Sequence, residues 1–259
     1  MRRDQIALQL YTVRELAATD LAGTLRAVAA AGYRHVELAA LPAIEPARLA
    51  DLLGETGLAP VASHESIEQL RADPDGVAGR LATLGCPRVI VPWMAPEHRR
   101  TVVDVRRFAA AVASVAQRLA DRGLRVGYHN HDFEFEPLEG TTIWDVLLAE
   151  LPAAIDLELD VYWLSVGGRD PVAEIRAAGD RVRLLHMKDR APGAEPRDAP
   201  VGTGILPFAA IVEAGRAAGV EWYVAEQDEP ADAIADITTA ARNLEALAES
   251  GWAPRFPRP

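Results

Sequence analysis

Apolar residues follow two alternating patterns along the chain: short runs rich in β-branched residues, and longer alanine-rich stretches of helical periodicity. The short runs predict eight strands, near Ile6–Leu10, His35–Leu38, Leu58–Ser63, Arg88–Val91, Leu124–His129, Ile155–Leu159, Val182–His186 and Trp222–Glu226. The longer stretches predict eight helices, near Leu21–Ala31, Pro46–Thr56, Val77–Leu84, Val102–Asp121, Ile143–Leu151, Pro171–Ala178, Phe208–Ala218 and Ala233–Glu249. Eight strand–helix pairs correspond to about 32 residues per pair, the usual size of a βα unit.

Glycines mark the ends of several predicted helices. Gly57 and Gly219 each follow a helix, where glycine can adopt the left-handed conformation that ends it. A doubly wound open sheet is the alternative, but it requires a glycine-rich turn after the first strand, and Gln9–Arg14 contains no glycine. We therefore predict a single α/β domain over residues 1–259, a (β/α)8 TIM barrel, with residues 250–259 as a C-terminal tail.

Composition narrows the class of protein. Hydrophobic residues make up 49% and charged residues 25% of the chain, which is typical of a globular domain. The net charge of −11 without a basic cluster argues against nucleic acid or an anionic membrane as a partner. No apolar run approaches the roughly 18 residues of a membrane span, and the polar start argues against a signal peptide. The lone Cys86 cannot form an internal disulfide, so we expect a cytoplasmic enzyme.

Chemistry in a barrel enzyme lies at the C-terminal ends of the strands. Asp160, His186 and Glu226 end three successive predicted strands, and neighbouring strands lie about 4.8 Å apart, so these side chains can converge on one ion. An oxygen-rich set with one imidazole suits a divalent cation such as Mn²⁺, Mg²⁺, Co²⁺ or Zn²⁺. Acidic residues at strand ends can instead cap the next helix. Further candidates at strand ends or in the loops that follow are Glu37, His64, Trp93, His129, His131, Asp132, Glu134, Glu136 and Lys188.

Alternation within the sixth strand adds one expectation. Glu158 shares a face with Asp160 and lies one layer deeper in the barrel. A buried glutamate needs a cationic or hydrogen-bonding partner. Arg125 has the matching alternation on the fifth strand, so we expect Glu158 to be structural and paired with it.

Seven stretches spread along the chain carry a family resemblance. They are LQLYTVRE (8–15), AAGYRHVEL (30–38), GYHNHDFEF (127–135), LELDVYWLSVGGRDP (157–171), LLHMKD (184–189), VGTGILPF (201–208) and WYVAEQD (222–228). With them the chain resembles the sugar phosphate isomerase/epimerase family. That family belongs to the xylose isomerase-like TIM barrel superfamily, which also holds ketose 3-epimerases, inosose dehydratases and endonuclease IV-type nucleases.

The resemblance implies one divalent metal ion held by Glu, Asp, His and Glu from successive strand ends. The last three ligands correspond to Asp160, His186 and Glu226. Many relatives have a glutamate where this chain has His129, so the first ligand is expected from the following loop, with Glu134 preferred. The alternatives for that ligand are Glu136, Asp132, His129 and His131.

The resemblance implies an isomerase or epimerase that removes a proton next to the carbonyl of a keto sugar or related polyol, through a metal-stabilised enediolate. The groups expected to move protons are Glu226, Lys188, His131 and His129, and a neighbouring dication should lower the pKa of Lys188. Two alternatives stay open: a lyase of inosose dehydratase or 3-keto-glycoside lyase type, and a non-catalytic sugar-binding barrel. The chain has only six histidines and is acidic, which argues against the function of the nuclease relatives.

Substrate contacts are expected from Glu37 and His64, and from the rings of Trp93 and Trp163, which can stack on a sugar. The segment Val201–Gly204 resembles a phosphate-binding turn only weakly and is interpreted as an ordinary turn. The expected partner is a small sugar, and the sequence leaves a homodimer or homotetramer open.

Overall fold

Eight parallel strands close into a barrel in the computed structural model, which describes residues 1–249. The strands are Ile6–Gln9 (β1), His35–Leu38 (β2), Ala59–His64 (β3), Arg88–Val91 (β4), Arg125–His129 (β5), Asp156–Asp160 (β6), Val182–Met187 (β7) and Trp222–Ala225 (β8). Each strand pairs with its neighbours in sequence, and β1 pairs with β8 through Ala7 and Val224, which closes the sheet. The predicted TIM barrel is confirmed. The predicted tail, 250–259, lies outside the described residues.

Helices surround the barrel. They are Arg14–Thr19 (α1), Leu21–Ala30 (α2), Pro46–Thr56 (α3), Ile67–Ala72 (α4), Pro74–Leu84 (α5), Val102–Ala120 (α6), Ile143–Glu150 (α7), Val161–Val166 (α8), Pro171–Ala178 (α9), Phe208–Ala218 (α10) and Ala233–Glu249 (α11). The sequence pattern missed α1, α4 and α8, because six residues are too few to show helical periodicity. Within residues 1–249, none of these helices is both long and apolar enough to cross a membrane.

Helix α6, the longest within residues 1–249, shows how the outer layer forms. Its buried face includes Val105, Phe108 and Val112, which recur at helical spacing and pack towards the strands. The hydroxyl oxygen of Thr101 accepts a hydrogen bond from the Asp104 amide at 3.2 Å and so caps the first turn. Buried apolar contacts between the strands and the helices form most of the core.

Apolar residues fill the barrel beneath the site. On β7, buried Leu184 lies two residues before His186, and Val224 of β8 lies two residues before Glu226. Since residues two apart on a strand share a face, the apolar pair lies one layer below the polar pair. The other buried residues of this apolar layer are Ala7, Val61, Ala62 and Ile90.

Ion pairs close the other end of the barrel. Arg88 is buried, and its Nε lies 2.9 Å from Asp156 Oδ2. Arg125 binds the other oxygen of Asp156 at 2.6 Å and also contacts Glu221 at 2.8 Å. The expected pairing of Arg125 with Glu158 is therefore wrong. Arg125 is the first residue of β5 and pairs with Asp156, the first residue of β6, which lies two residues before Glu158 on the same strand.

Candidate functional site

A cavity of about 420 Å³ opens at the C-terminal ends of the strands. Its lining residues are Tyr11, Ala39, Ala40, His64, Pro92, Trp93, His129, His131, Lys188, Glu226 and Asp228. A larger cavity of about 890 Å³ lies at the opposite end of the barrel, beside Met1 and Trp222. The smaller cavity is the candidate site, because barrel enzymes place their chemistry at the C-terminal ends.

Asp160, His186 and Glu226 form a first cluster, here called the outer group. Their nearest ligand atoms all lie within 4.8 Å of one another. Asp160 ends β6 and pairs in register with His186 of β7, and His186 Nδ1 lies 2.9 Å from Glu226 Oε2, just after β8. The structure thus brings together the three residues that the sequence placed at successive strand ends.

The two oxygens of the Asp160 carboxylate have different surroundings. Oδ1 accepts hydrogen bonds from the amides of Tyr162 at 2.8 Å and Trp163 at 3.0 Å, which caps α8. Oδ2 is buried and accepts no hydrogen bond, although the Lys188 ammonium lies 3.2 Å away. The residue is therefore a helix cap through one oxygen and has a potential ligand atom in the other.

Lys188 lies buried among three carboxylates. Its Nζ is 2.8 Å from Glu226 Oε2, 2.9 Å from Asp228 Oδ2 and 3.2 Å from Asp160 Oδ2. Burial lowers the pKa of Lys188, but Asp160, Glu226 and Asp228 together raise it well above its ordinary value. The carboxylates thus raise the pKa of Lys188, whereas a neighbouring divalent cation is expected to lower it.

Glu158 is the centre of a second cluster, here called the inner group, formed by His64, His129, Glu158 and His186. Its Oε2 lies 2.9 Å from His64 Nε2, 3.1 Å from His129 Nδ1 and 3.2 Å from His186 Nε2. Burial raises the pKa of Glu158, but the three imidazoles lower it well below its ordinary value. Sequence reasoning missed this group; the available signal was the shared face of Glu158 and Asp160.

Glu37 joins the inner group from the other side of the barrel. Its Oε2 lies 2.7 Å from His186 Nε2 and 3.2 Å from His64 Nε2, and it accepts a hydrogen bond from Gln9 at 2.9 Å. His64 lines the cavity, whereas Glu37 is completely buried beneath it. Burial lowers the pKa of His64, but Glu37 and Glu158 raise it to about 10.

Glu134 is buried outside both clusters. Its Oε1 accepts a 2.6 Å hydrogen bond from the Tyr128 hydroxyl, and its Oε2 accepts a 2.8 Å bond from the His131 amide. Burial raises the pKa of Glu134 to about 7, although both hydrogen bonds act to lower it. Within residues 1–249, neither the outer group nor the cluster around Glu158 contains Glu134, Asp132 or Glu136.

Aromatic rings surround His131 at the cavity wall. Ring centroids lie 5.0 Å away for Trp93, 5.6 Å for Phe133 and 5.6 Å for Trp163. Burial lowers the pKa of His131 well below its ordinary value, and the neighbouring His129 lowers it further. The imidazole is therefore neutral at neutral pH, and its buried Nδ1 has no hydrogen-bond partner.

The amides of the Val201–Gly204 turn are already occupied. Those of Gly202 and Gly204 donate to Asp189 Oδ2 at 2.9 and 2.7 Å. Asp189 lies two residues after the end of β7 and joins this turn to the strand end. These two amides are therefore already bound to a carboxylate rather than free to bind a phosphate.

The chain belongs to the xylose isomerase-like TIM barrel family, whose model matches residues 25–249. Two similar solved structures are named sugar phosphate isomerase/epimerase and come from Parabacteroides distasonis ATCC 8503. One is 21% identical, with a TM-score of 0.82 and coverage of 95% of this chain and 94% of that one. The other is 25% identical, with a TM-score of 0.79 and coverage of 92% and 96%.

A third similar structure is the IOLI protein with a bound zinc atom. It is 15% identical and has a TM-score of 0.76, with coverage of 96% of this chain and 99% of that one. At this identity the likeness concerns the fold. A comparison with functionally curated proteins finds no match.

Proposed function

We propose that the chain is a divalent-metal-dependent isomerase or epimerase of a keto sugar or related polyol. The observation that carries the proposal is the outer group, Asp160, His186 and Glu226, of which Glu226 lines a cavity of about 420 Å³. Two carboxylates and one imidazole suit Mn²⁺, Mg²⁺, Co²⁺ or Zn²⁺. The buried Asp160 Oδ2, which accepts no hydrogen bond, fits a metal ligand.

A bound divalent cation would polarise the substrate carbonyl and acidify the neighbouring C–H bond. This chain supplies groups for the proton transfer at two places in the cavity wall. Lys188 and Glu226 lie together at the ends of β7 and β8, and His131 follows β5. His129 also lines the cavity, but its Nδ1 contacts Glu158. Groups two strands apart can approach one carbon from different directions, as epimerisation requires.

We assign Glu134 to the positioning of His131 rather than to the metal. Both of its oxygens are engaged, one by the Tyr128 hydroxyl and one by the His131 amide. The hydrogen bond to the amide orients the chain where it leaves β5 and carries the imidazole into the cavity wall. The expected ligand set therefore rests on Asp160, His186 and Glu226.

Solvent exchange tests the proposed reaction. The purified protein is analysed for metal and incubated in D₂O with a panel of 3-keto sugars, ketohexoses and inososes. We expect a divalent metal, and deuterium on the carbon next to a carbonyl. The Glu226→Gln variant should lose this exchange. A protein that takes up no metal from added Mn²⁺ or Co²⁺ and exchanges no proton would contradict the proposal and favour a sugar-binding barrel.

Elimination is the second candidate, and one observation favours it. A cavity of about 570 Å³ adjoins the first, shares Asp228 with it, and is lined by Trp163 and Arg197. Such space would accommodate a second group on the sugar, which a lyase would release after the same proton abstraction. Product analysis distinguishes the candidates: an epimerase returns an isomer of equal mass, and a lyase releases water or an alcohol.

A further inference from the structure

The loop between β8 and α11, residues 226–232, contains neither helix nor strand, and one carboxylate holds its middle. Oδ2 of Asp198 accepts hydrogen bonds from two successive amides of this loop, those of Asp228 and Glu229, the latter at 3.2 Å. Hydrogen bonds to a charged oxygen are roughly twice as strong as those between neutral groups. Asp198 therefore sets the position of the backbone at Asp228.

Asp198 is itself held by paired backbone. It lies on a two-stranded hairpin between β7 and α10, in which it pairs in register with Arg190. The base of this hairpin is fixed by Asp189, which is completely buried and accepts hydrogen bonds from the amides of Gly204 at 2.7 Å and Leu206 at 3.1 Å. The carboxylate of Asp198 is thus presented to the next loop from a strand that is anchored at the end of β7.

Asp228 connects this arrangement to Lys188. Its Oδ2 lies 2.9 Å from Lys188 Nζ, and its side chain is 31% exposed. The other two carboxylates at that ammonium, those of Asp160 and Glu226, are buried at or next to strand ends, where the barrel sets their positions. Asp228 lies two residues further along the loop, so its position depends on Asp198.

We propose that Asp198 is a positioning residue for Lys188, because it holds the Asp228 carboxylate against the Lys188 ammonium through the backbone of the loop. Within residues 1–249, the carboxylates that pair with Lys188 are those of Asp160, Glu226 and Asp228, so Asp198 acts on the lysine through Asp228. The consequence for catalysis rests on the proposed function, in which Lys188 is one of the groups that move protons. The consequence for the surroundings of Lys188 does not.

Lys188 is the only lysine in the sequence, so it reports on the proposal directly. In the metal-free full chain labelled with ¹³C-lysine, Asp198→Ala and Asp228→Ala should each shift the side-chain signal. The double variant should shift it no further than Asp228→Ala alone, as expected for two residues that act in series. Asp198→Asn keeps an oxygen that can accept both amides, so its signal should stay near that of the wild type.

The matched control is Glu195→Gln, which removes a negative charge from an exposed residue of the same hairpin. Its Lys188 signal should equal that of the wild type. An unshifted signal in Asp198→Ala would overturn the proposal. Shifts of Asp198→Ala and Asp228→Ala that add in the double variant would also overturn it, and so would an equal shift in Asp198→Asn, which would reflect the lost charge alone.

Hydrogen exchange provides a measurement on the wild type, which decides if Asp198→Ala does not fold by circular dichroism. Slow exchange of the Asp228 and Glu229 amides supports the tether, and exchange as fast as that of an unprotected amide overturns it. These amides are assigned by NMR in the full chain.

The D₂O reaction separates this inference from the proposed function. In Asp198→Ala, kcat for deuterium exchange should fall by up to about 100-fold, as a misplaced catalytic group allows, with KM little changed. An unchanged kcat would overturn the positioning role. A wild-type chain that catalyses no exchange, but shows the expected Lys188 shifts in the variants, would contradict the proposed function and support the link from Asp198 to Lys188.

Discussion

The Tyr128 hydroxyl donates a 2.6 Å hydrogen bond to Glu134 on the helix side of β5. Tyr128 faces α6, where its ring packs edge-on against Phe108 with centroids 5.9 Å apart. His129, the next residue, points the other way and contacts Glu158 inside the barrel. The partnership with Tyr128 therefore holds the Glu134 carboxylate away from both clusters of potential ligands.

Replacement of Glu134 by glutamine should change the pH dependence of stability. The folded-state pKa of about 7 lies above the ordinary value of 4.5, so the folded chain binds this proton more tightly than the unfolded chain. This contribution, about 3 kcal/mol, is full below pH 4.5 and is lost as the pH rises through 7. Glutamine imitates the protonated group, so urea unfolding of Glu134→Gln should decline less between pH 5 and 8 than that of the wild type.

The matched control is Glu136→Gln, which changes an exposed glutamate of the same loop. It should follow the wild-type pH profile. Metal content provides a second readout, since a positioning residue can be replaced without loss of the ion. Loss of metal in Glu134→Gln, with the fold retained, would restore Glu134 as a ligand.

Asp160→Asn should weaken metal binding and leave the fold intact. Asparagine keeps an oxygen to accept the amides of Tyr162 and Trp163, so the cap of α8 survives, but it removes the charge of the free oxygen. The loss should exceed the roughly 10–100-fold that is typical when an outer-shell partner of a ligand is removed. Calorimetric titration with Mn²⁺ measures it. Asp170→Asn, at the cap of α9, should bind Mn²⁺ as the wild type does.

Lys188 should remain protonated to unusually high pH in the metal-free protein. It is the only lysine in the sequence, so protein labelled with ¹³C-lysine gives a single side-chain signal. Burial lowers its pKa, but Asp160, Glu226 and Asp228 raise it well above 10.5. The signal should therefore show no titration up to pH 10.5, and Zn²⁺ should shift it. Titration near or below 10.5 in the metal-free protein would contradict the ion-pair geometry, and Lys188→Arg confirms the assignment.

Trp93→Ala should affect substrate binding more than stability. Its ring is 44% exposed at the mouth of the cavity and touches the ring of His131 edge-on. Since an exposed ring adds little to the core, KM should rise several-fold with a small change in Tm. Leu16→Ala, 41% exposed and outside the cavity lining, serves as the control. Unchanged KM would place the substrate away from Trp93.

The outer group illustrates what local pattern predicts well. Asp160, His186 and Glu226 each stand within one residue of the end of a hydrophobic strand, and strand alternation sets the direction of their side chains. Parallel strands in a barrel bring such ends together whatever the details of packing. The fold and this cluster were therefore accessible from one sequence. The expected contribution of Glu134 to the ligand set could not be derived in the same way, because a loop residue three positions beyond His131 can turn to either side of the strand.

By itself, then, the sequence determined the order of strands and helices, the barrel they form, and the three residues of the outer group. The inner group was decided only by the tertiary structure, because its contacts cross the barrel axis and depend on the register between strands. The pairing of β2 with β3 shifts at Glu37, and that of β6 with β7 shifts at Glu158. These irregularities place both glutamates against His186. Strand alternation predicts that Glu158 faces the barrel interior, but it does not predict the register shifts, because register is set by the packing of the whole closed sheet.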